Sequence, residues 1–254
     1  MPNPPTITYP LILSKAQLGV MLTLFEISDT IGLESPFSAD PSDRSALLER
    51  GKAELEAAGW LVWNTEQQNY HLDERLIAIT LAITFPKVVI QFIMSAPGAP
   101  AQGVTCMIGQ DLVLEVAMIN SDYHINVLVS TDLLAQRIIH TLSLPDQVET
   151  EAVGYLSHSD FAALQAEPDR VDTIAPLFTK MFTHAHTQAN ISLLQIQALQ
   201  IVQQQMFGII TGTNHEAWLI LPHTSDQLQI STINSQSLHK ILLDSIHSLH
   251  PSVS

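Results

Sequence analysis

Apolar residues recur along this chain in two rhythms, and the switches between them mark out its elements. The first ten residues hold four prolines and read as an extended lead-in. Leu18, Leu22 and Phe25 then follow Ser14 at helical spacing, which predicts a helix from Lys15 to Ile31 closed by Gly32. Glu34 to Ser42, with Pro36 and Pro41, is a loop. Asp43 to Ala58 is amphipathic through Leu47, Leu48 and Leu55 and stops at Gly59. Trp60 to Trp63 reads as a short strand, Glu66 to Asn69 as a turn, and Asp73 as the cap of a helix running to about Phe85. At Lys87 the period falls to that of a strand. Lys87–Ser95, Val104–Ile108, Asp111–Ala117 and Tyr123–Val129 are rich in β-branched residues and separated by turn residues, and a helix capped by Ser130 or Thr131 closes the series at Leu142.

The same order then recurs. Gly103 aligns with Gly208, Val104 with Ile209, Asp111 with Glu216, Leu114 with Leu219 and Ile125 with Ile230. After a one-residue slip, Leu134 falls on Leu238, Ile138 on Leu242 and Leu142 on Ile246. Pro145–Thr150 is the natural boundary, giving an N-terminal half, residues 1–144, and a C-terminal half, residues 145–254, packed as one body. The second half opens with helical stretches at Ser159–Ala166 and Val171–Phe182. Ile191–Val202 fits a helix or a strand, and the alternation of Leu194, Ile196 and Ala198 with glutamines favours a strand. Strands at Phe207–Gly212, Glu216–Leu221 and Gln227–Ile233 precede a last helix, Ser235 to about Leu249. Each half thus reads as helices, four antiparallel strands and a helix, an α+β unit that buries more apolar surface when joined to its repeat.

Composition narrows what such a fold does. The apolar fraction of 46% with 14% charged residues is enough for a sizeable core. The net charge of −15 and the absence of a basic stripe make nucleic acid and anionic membrane poor partners. Cys106 is the single cysteine, which excludes an internal disulfide and fits a reducing cytoplasm. The apolar window Leu76–Met94 is broken by Pro86–Lys87, so it reads as a helix turning into a strand and not as a membrane span. The opening residues have no basic region ahead of an apolar run and do not read as a signal peptide.

Candidate chemistry is sparse. His184 and His186 could share a metal if they stood on a strand, but they fall near a helix end or connection and no Cys, Asp or Glu lies close in sequence, so polar surface histidines are the better reading. His239, His247 and His250 fall on one side of the last helix, where cations suit the helix dipole. Cys106 stands in an apolar run and reads as a buried, inert thiol. Asp73–Glu74 reads as a helix start, and Asp111 with Glu115 as turn and sheet-face charges. No nucleophile elbow, phosphate loop, dinucleotide fingerprint or zinc-protease motif is present, so no catalytic residue, metal or cofactor is assigned.

The segment RGKAELEAAGWLVWNTEQQNYHLDERLIAITLAITFPKVVIQFIM resembles the EspG family of ESX (type VII) secretion-associated proteins. Leu55, Gly59 and Leu61 fill that family's helix-ending LxxxGL pattern, His71 to Leu76 its VDPxL helix cap, and Phe85 to Val88 its LARPExxL entry to the sheet. EAWLILPHTSDQLQISTINSQSLHKILLDSI is similar to the family's W-x-x-x-P strand and closing helix, with Pro222 slightly displaced. The resemblance implies a pseudo-two-fold α+β fold with a central sheet and helical bundles. It also implies a non-enzymatic cytoplasmic chaperone that binds the tip of helical secretion substrates. In that family the substrate docks against the second-half sheet and adjoining bundle. The corresponding apolar set here is Trp218, Ile220, Leu228 and Ile230, on alternating positions of two adjacent strands, to be read as partner-binding surface or as core. An unrecognised α+β enzyme or ligand sensor and a homodimeric scaffold are the alternatives.

Overall fold

The structure, a computed structural model, describes residues 8–37, 40–147, 152–166, 181, 185–213 and 216–250. Its elements in chain order are β1 (Leu11–Leu13), α1 (Lys15–Leu24), α2 (Pro41–Ala57), β2 (Leu61–Asn64), β3 (Asn69–Leu72), α3 (Glu74–Thr84), β4 (Val88–Ser95), β5 (Gln102–Ile108), β6 (Val113–Ile119), β7 (Asp122–Leu128) and α4 (Thr131–Leu142). These are followed by β8 (Val153–Ser157), α5 (His158–Ala166), β9 (Ala185–Gln197), β10 (Gln200–Gly212), β11 (Ala217–Pro222), β12 (Gln227–Thr232) and α6 (Ser235–Leu249). Ten strands form one antiparallel sheet in the order β1-β7-β6-β5-β4-β9-β10-β11-β12-β8, and β2 and β3 form a separate hairpin. From β7 inward to β4 and from β12 inward to β9 the order reads alike, so the fold is the α+β pseudo-repeat expected from the sequence.

By compactness the chain divides into two units that interleave along the sequence. One comprises residues 1–89, 104–130 and 196–202, the other residues 90–103, 131–195 and 203–254.

In the first unit, α1 begins with a reciprocal cap. Gln17 N–H donates to Ser14 Oγ at 3.1 Å, and Ser14 N–H donates to Gln17 Oε1 at 2.9 Å, satisfying two donors that have no intrahelical acceptor. The helix ends at Leu24, seven residues short of the Ile31 expected from periodicity, because Glu26 turns left-handed at φ 59 and Ile27 N–H bonds back to Leu22 O. α2 starts two residues earlier than expected, with Pro41 at a position where the missing N–H costs nothing. Gly51 of α2 lies hard against α1, where an added Cβ would stand 2.1 Å from Ala16 O. Leu76, Ile79 and Ile83 on one side of α3 are fully buried. The loop after α1 is pinned from below: Thr105 Oγ1 donates to Gly32 O at 2.9 Å and Tyr123 OH donates to Glu34 O at 2.8 Å. Burial, and secondarily the Glu34 carboxylate, push the Tyr123 phenol up to about 12.

Asp73 caps α3 and carries a pH signature. Its carboxylate accepts from Arg75 Nε at 2.8 Å and from Arg75 N–H at 2.9 Å. The Arg75 side-chain hydrogen bond holds its pKa below the ordinary 3.8, with partial burial opposing. A carboxyl whose folded pKa is depressed stabilises the fold fully above its unfolded pKa and loses that stabilisation as pH falls through the folded value. Asp73→Asn keeps a capping side chain but removes the charge. Wild type is therefore expected to unfold at higher denaturant than Asp73→Asn above about pH 4, the gap closing as the pH drops further. Denaturant midpoints across pH check it, and a gap that does not change with pH would refute it.

Three elements depart from the sequence reading. β1 pairs with β7 through Leu11↔Ile125 and Leu13↔Tyr123, where only a lead-in was expected. β3 pairs with β2 through Trp63↔Tyr70 where a turn and cap were expected, and β8 adds a further edge strand through Leu156↔Leu228. The Ile191–Val202 stretch is strand as expected, but it contains a turn. β9 and β10 are each 13 residues long, and Ala198 and Leu199 adopt left-handed φ values of 50 and 60 between them. The primed hairpin turn normally recruits Asn and Gly for such angles, so these two residues gave no turn signal. The expected helix Val171–Phe182 lies outside the described residues, apart from Met181.

In the second unit α4 and α6 each bury one stripe, Leu134, Ile138 and Leu142 on the first and Leu238, Leu242, Ile246 and Leu249 on the second. All but Leu249 are positions that the repeat aligned. Asn234 caps α6, accepting from Ser237 N–H at 2.8 Å.

Candidate functional site

The apolar set of the second-half sheet comes together as one face. β11 and β12 pair antiparallel with Ile220 opposite Ile230 and Pro222 opposite Leu228, so Trp218, Ile220, Leu228 and Ile230 project to the same side. Ile210 of β10 stands opposite Trp218, and Leu156 of β8 stands opposite Leu228, which widens that face to four strands. Leu164 of α5 and Met181 close over it, with Phe161 and Ala185 packed against the same cluster. Trp218 and Ile230 are 1% and 0% exposed, and Ile220 and Leu228 are 7% exposed. All four residues are core in this structure, not free surface, and a partner that reached them would first have to displace Phe161 and Leu164. The Trp218 Nε1–H is buried without a hydrogen-bond partner among the described residues.

The histidines are dispersed. His186 lies near the start of β9 with its side chain exposed, and His184 lies outside the described residues. Among the described residues no group of three or more His, Cys, Asp or Glu side chains stands close enough to share a metal ion. Cys106 is buried on β5. His239 Nε2 of α6 lies 3.0 Å from Asp132 Oδ1 of α4, an ion-pair distance when the imidazole is protonated, although the pair is not aligned as a hydrogen bond. Beside this pair a cavity of about 520 Å³ opens between the two helices, lined by Gln136, Ile139, His140, Leu144, Asp146 and Ser235 among others. Ser235 Oγ donates to Asp146 Oδ1 at 3.3 Å, so its proton faces a carboxylate and not an imidazole.

Sequence reasoning missed the exposed apolar residues at the start of β10 and in the turn before it. Leu199 of the turn and Ile201, Val202 and Met206 of β10 are about half exposed, at 47%, 53%, 51% and 50%. Their signal was present in the run QIVQQQM, where glutamine replaces the charged residues that usually guard a sheet edge. Among the described residues no helix is long and apolar enough to cross a membrane.

No protein-family model matches the chain, and neither does any curated protein. Solved structures do. The two-part sheet and its closing helices have the EspG fold. The similarity is to the Mycobacterium tuberculosis type VII secretion system chaperone EspG5, solved in complex with the PE25–PPE41 dimer, at a TM-score of 0.64 and 10% identity over 93% of this chain and 95% of that one. At that identity the likeness is one of fold.

Proposed function

We propose that this protein is a non-enzymatic cytoplasmic chaperone or adaptor for a helical substrate of a type VII-like secretion system. The single observation that carries the reading is the likeness to a type VII secretion chaperone over nearly the whole length of both chains. The sequence motifs quoted above point to the same family independently of the backbone. The partner in this reading is a helical protein, and docking on the face of Trp218, Ile220, Leu228 and Ile230 requires α5 to move aside. A ligand sensor is the second reading, favoured by the cavity between α4 and α6 with His140, Asp146 and His239 at its wall.

Affinity capture from the native cell, followed by co-expression of each captured protein with this chain, separates the two readings. The expected result is a small helical secreted protein that elutes with this chain as a stoichiometric complex and aggregates when expressed without it. Captured secretion substrates that stay soluble alone and elute apart from this chain would refute the chaperone reading. A small molecule that raises the unfolding midpoint, in the absence of any such partner, would favour the sensor.

A further inference from the structure

Beside their buried stripes, α4 and α6 face each other a second time across polar side chains. Gln136, Ile139, His140, Ser143 and Leu144 recur at i, i+3, i+4, i+7 and i+8, which places them along one face of α4 and its C-terminal end. Gln236 and His239 of α6 form the opposite wall, and the space between is the cavity of about 520 Å³. A carboxylate stands at each end of it. Asp132, in the first turn of α4, meets lining residues of both helices: Gln136 Nε2 donates to its Oδ2 at 2.6 Å, and His239 Nε2 lies 3.0 Å from its Oδ1. Asp146 lines the other end, past the last turn of α4, and accepts from Ser235 Oγ at 3.3 Å. The helix from Asp132 to Leu142 spans about 15 Å. No lysine or arginine lines the cavity, and among the described residues neither acid is paired with one.

We propose that this cavity binds an elongated aliphatic polyamine, with one ammonium at Asp132 and another at Asp146. The inference rests on reading the cavity as a ligand site and is independent of the secretion reading. Charge and spacing select the ligand. An anion would find no lysine or arginine on the wall and would meet the field of a chain whose net charge is −15. A metal ion needs three or more ligands in one place, and no such group exists among the described residues. A neutral polyol leaves both carboxylates without a charged partner. A chain with a cation at each end supplies both, through charge-assisted hydrogen bonds to the two acids. Gln136 uses its Nε2 on Asp132, which leaves its Oε1 to accept from an ammonium. Between the ends, Ile139 and Leu144 offer apolar surface to the methylenes. A short diamine reaches only one of the two acids.

Isothermal titration calorimetry of the full chain with spermidine tests this, at physiological salt, which screens attraction to the acidic surface beyond about 8 Å. The expected result is one spermidine per chain. Asp146→Asn and Asp132→Asn are each expected to weaken binding about tenfold, the loss of one hydrogen bond to a charged group. Glu49→Gln on α2 removes the same charge away from the cavity and is expected to bind as the wild type does. Putrescine is expected to bind more weakly than spermidine. Should Asp132→Asn fail to fold, Asp146→Asn carries the test, because it lies outside the helix. Wild-type affinity in Asp146→Asn overturns the proposal. So does spermidine that occupies several sites or is weakened equally by Glu49→Gln, since the acidic surface at large then holds it. Octanediol and suberate, chains of similar length with neutral and anionic ends, separate this failure from that of the ligand-site reading. Binding of either in place of spermidine, competing at the same cavity, keeps the site and overturns the polyamine. Binding of none of the three overturns both.

Discussion

Trp218→Ala is expected to lower the free energy of unfolding by about 3–5 kcal/mol, the range for removing a large aromatic from a well-packed core. The side chain is 1% exposed and stands among Ile210, Ile220, Ile230, Leu156, Leu164 and Met181, so its removal leaves a cavity that residues on a sheet cannot collapse to fill. Trp218→Phe isolates the polar part of the effect. It keeps most of the apolar volume and deletes the unpartnered indole N–H, so it is expected to cost far less than alanine. Urea unfolding of the three chains checks both expectations. An alanine variant that unfolds at the wild-type midpoint would show that the indole is not core in solution, and would return the four-residue face to the role of a docking surface.

Gly51→Ala is expected to be strongly destabilising although it adds a single methyl. The new Cβ would stand 2.1 Å from Ala16 O and 2.3 Å from Ala16 C, both backbone atoms at the crossing of α1 and α2. Neither can rotate away, so the helices must separate. That separation breaks the packing of buried Leu18, Leu22 and Leu55, and overpacking of this kind costs about 1–3 kcal/mol and sometimes more. The contrast is Gly98, which has open space around its Cβ position but a left-handed φ of 75. Gly98→Ala is therefore strained only locally, by about 1 kcal/mol. Thermal melts that rank Gly51→Ala no lower than Gly98→Ala would show that the close approach of the two helices is absent in solution.

What the sequence disclosed and what it concealed follow one physical division. α3, α4 and α6 were legible because a capping side chain and a run at the 3.6 period are local signals, and the aligned pairs Leu134 with Leu238 and Ile138 with Leu242 lie at matching buried positions. The shared face of Trp218, Ile220, Leu228 and Ile230 was legible from strand alternation alone. Its cover was not: Phe161 and Leu164 are ordinary helix residues, and nothing local tells which sheet face an amphipathic segment will close. β1 and β8 stayed hidden because three and five residues carry little periodic signal, and each is stabilised by a partner far along the chain, Leu11 by Ile125 and Leu156 by Leu228. The hairpin turn at Ala198 and Leu199 was hidden for the opposite reason. There the local signal pointed to a continuous strand, and the seating of β9 against β4, with β10 folded back beside it, overrode it.

The interleaving of the two compact units bears on how the chain is made. The second unit takes in residues 90–103 before the first has received its last contribution, residues 196–202. During synthesis, therefore, neither unit is complete until the β9–β10 hairpin has left the ribosome. Until then β4 (Val88–Ser95) has β5 on one side but lacks β9 on the other, so one of its edges stays open to early aggregation. A cut anywhere from 131 to 195 divides the second unit and also separates residues 196–202 from the rest of the first.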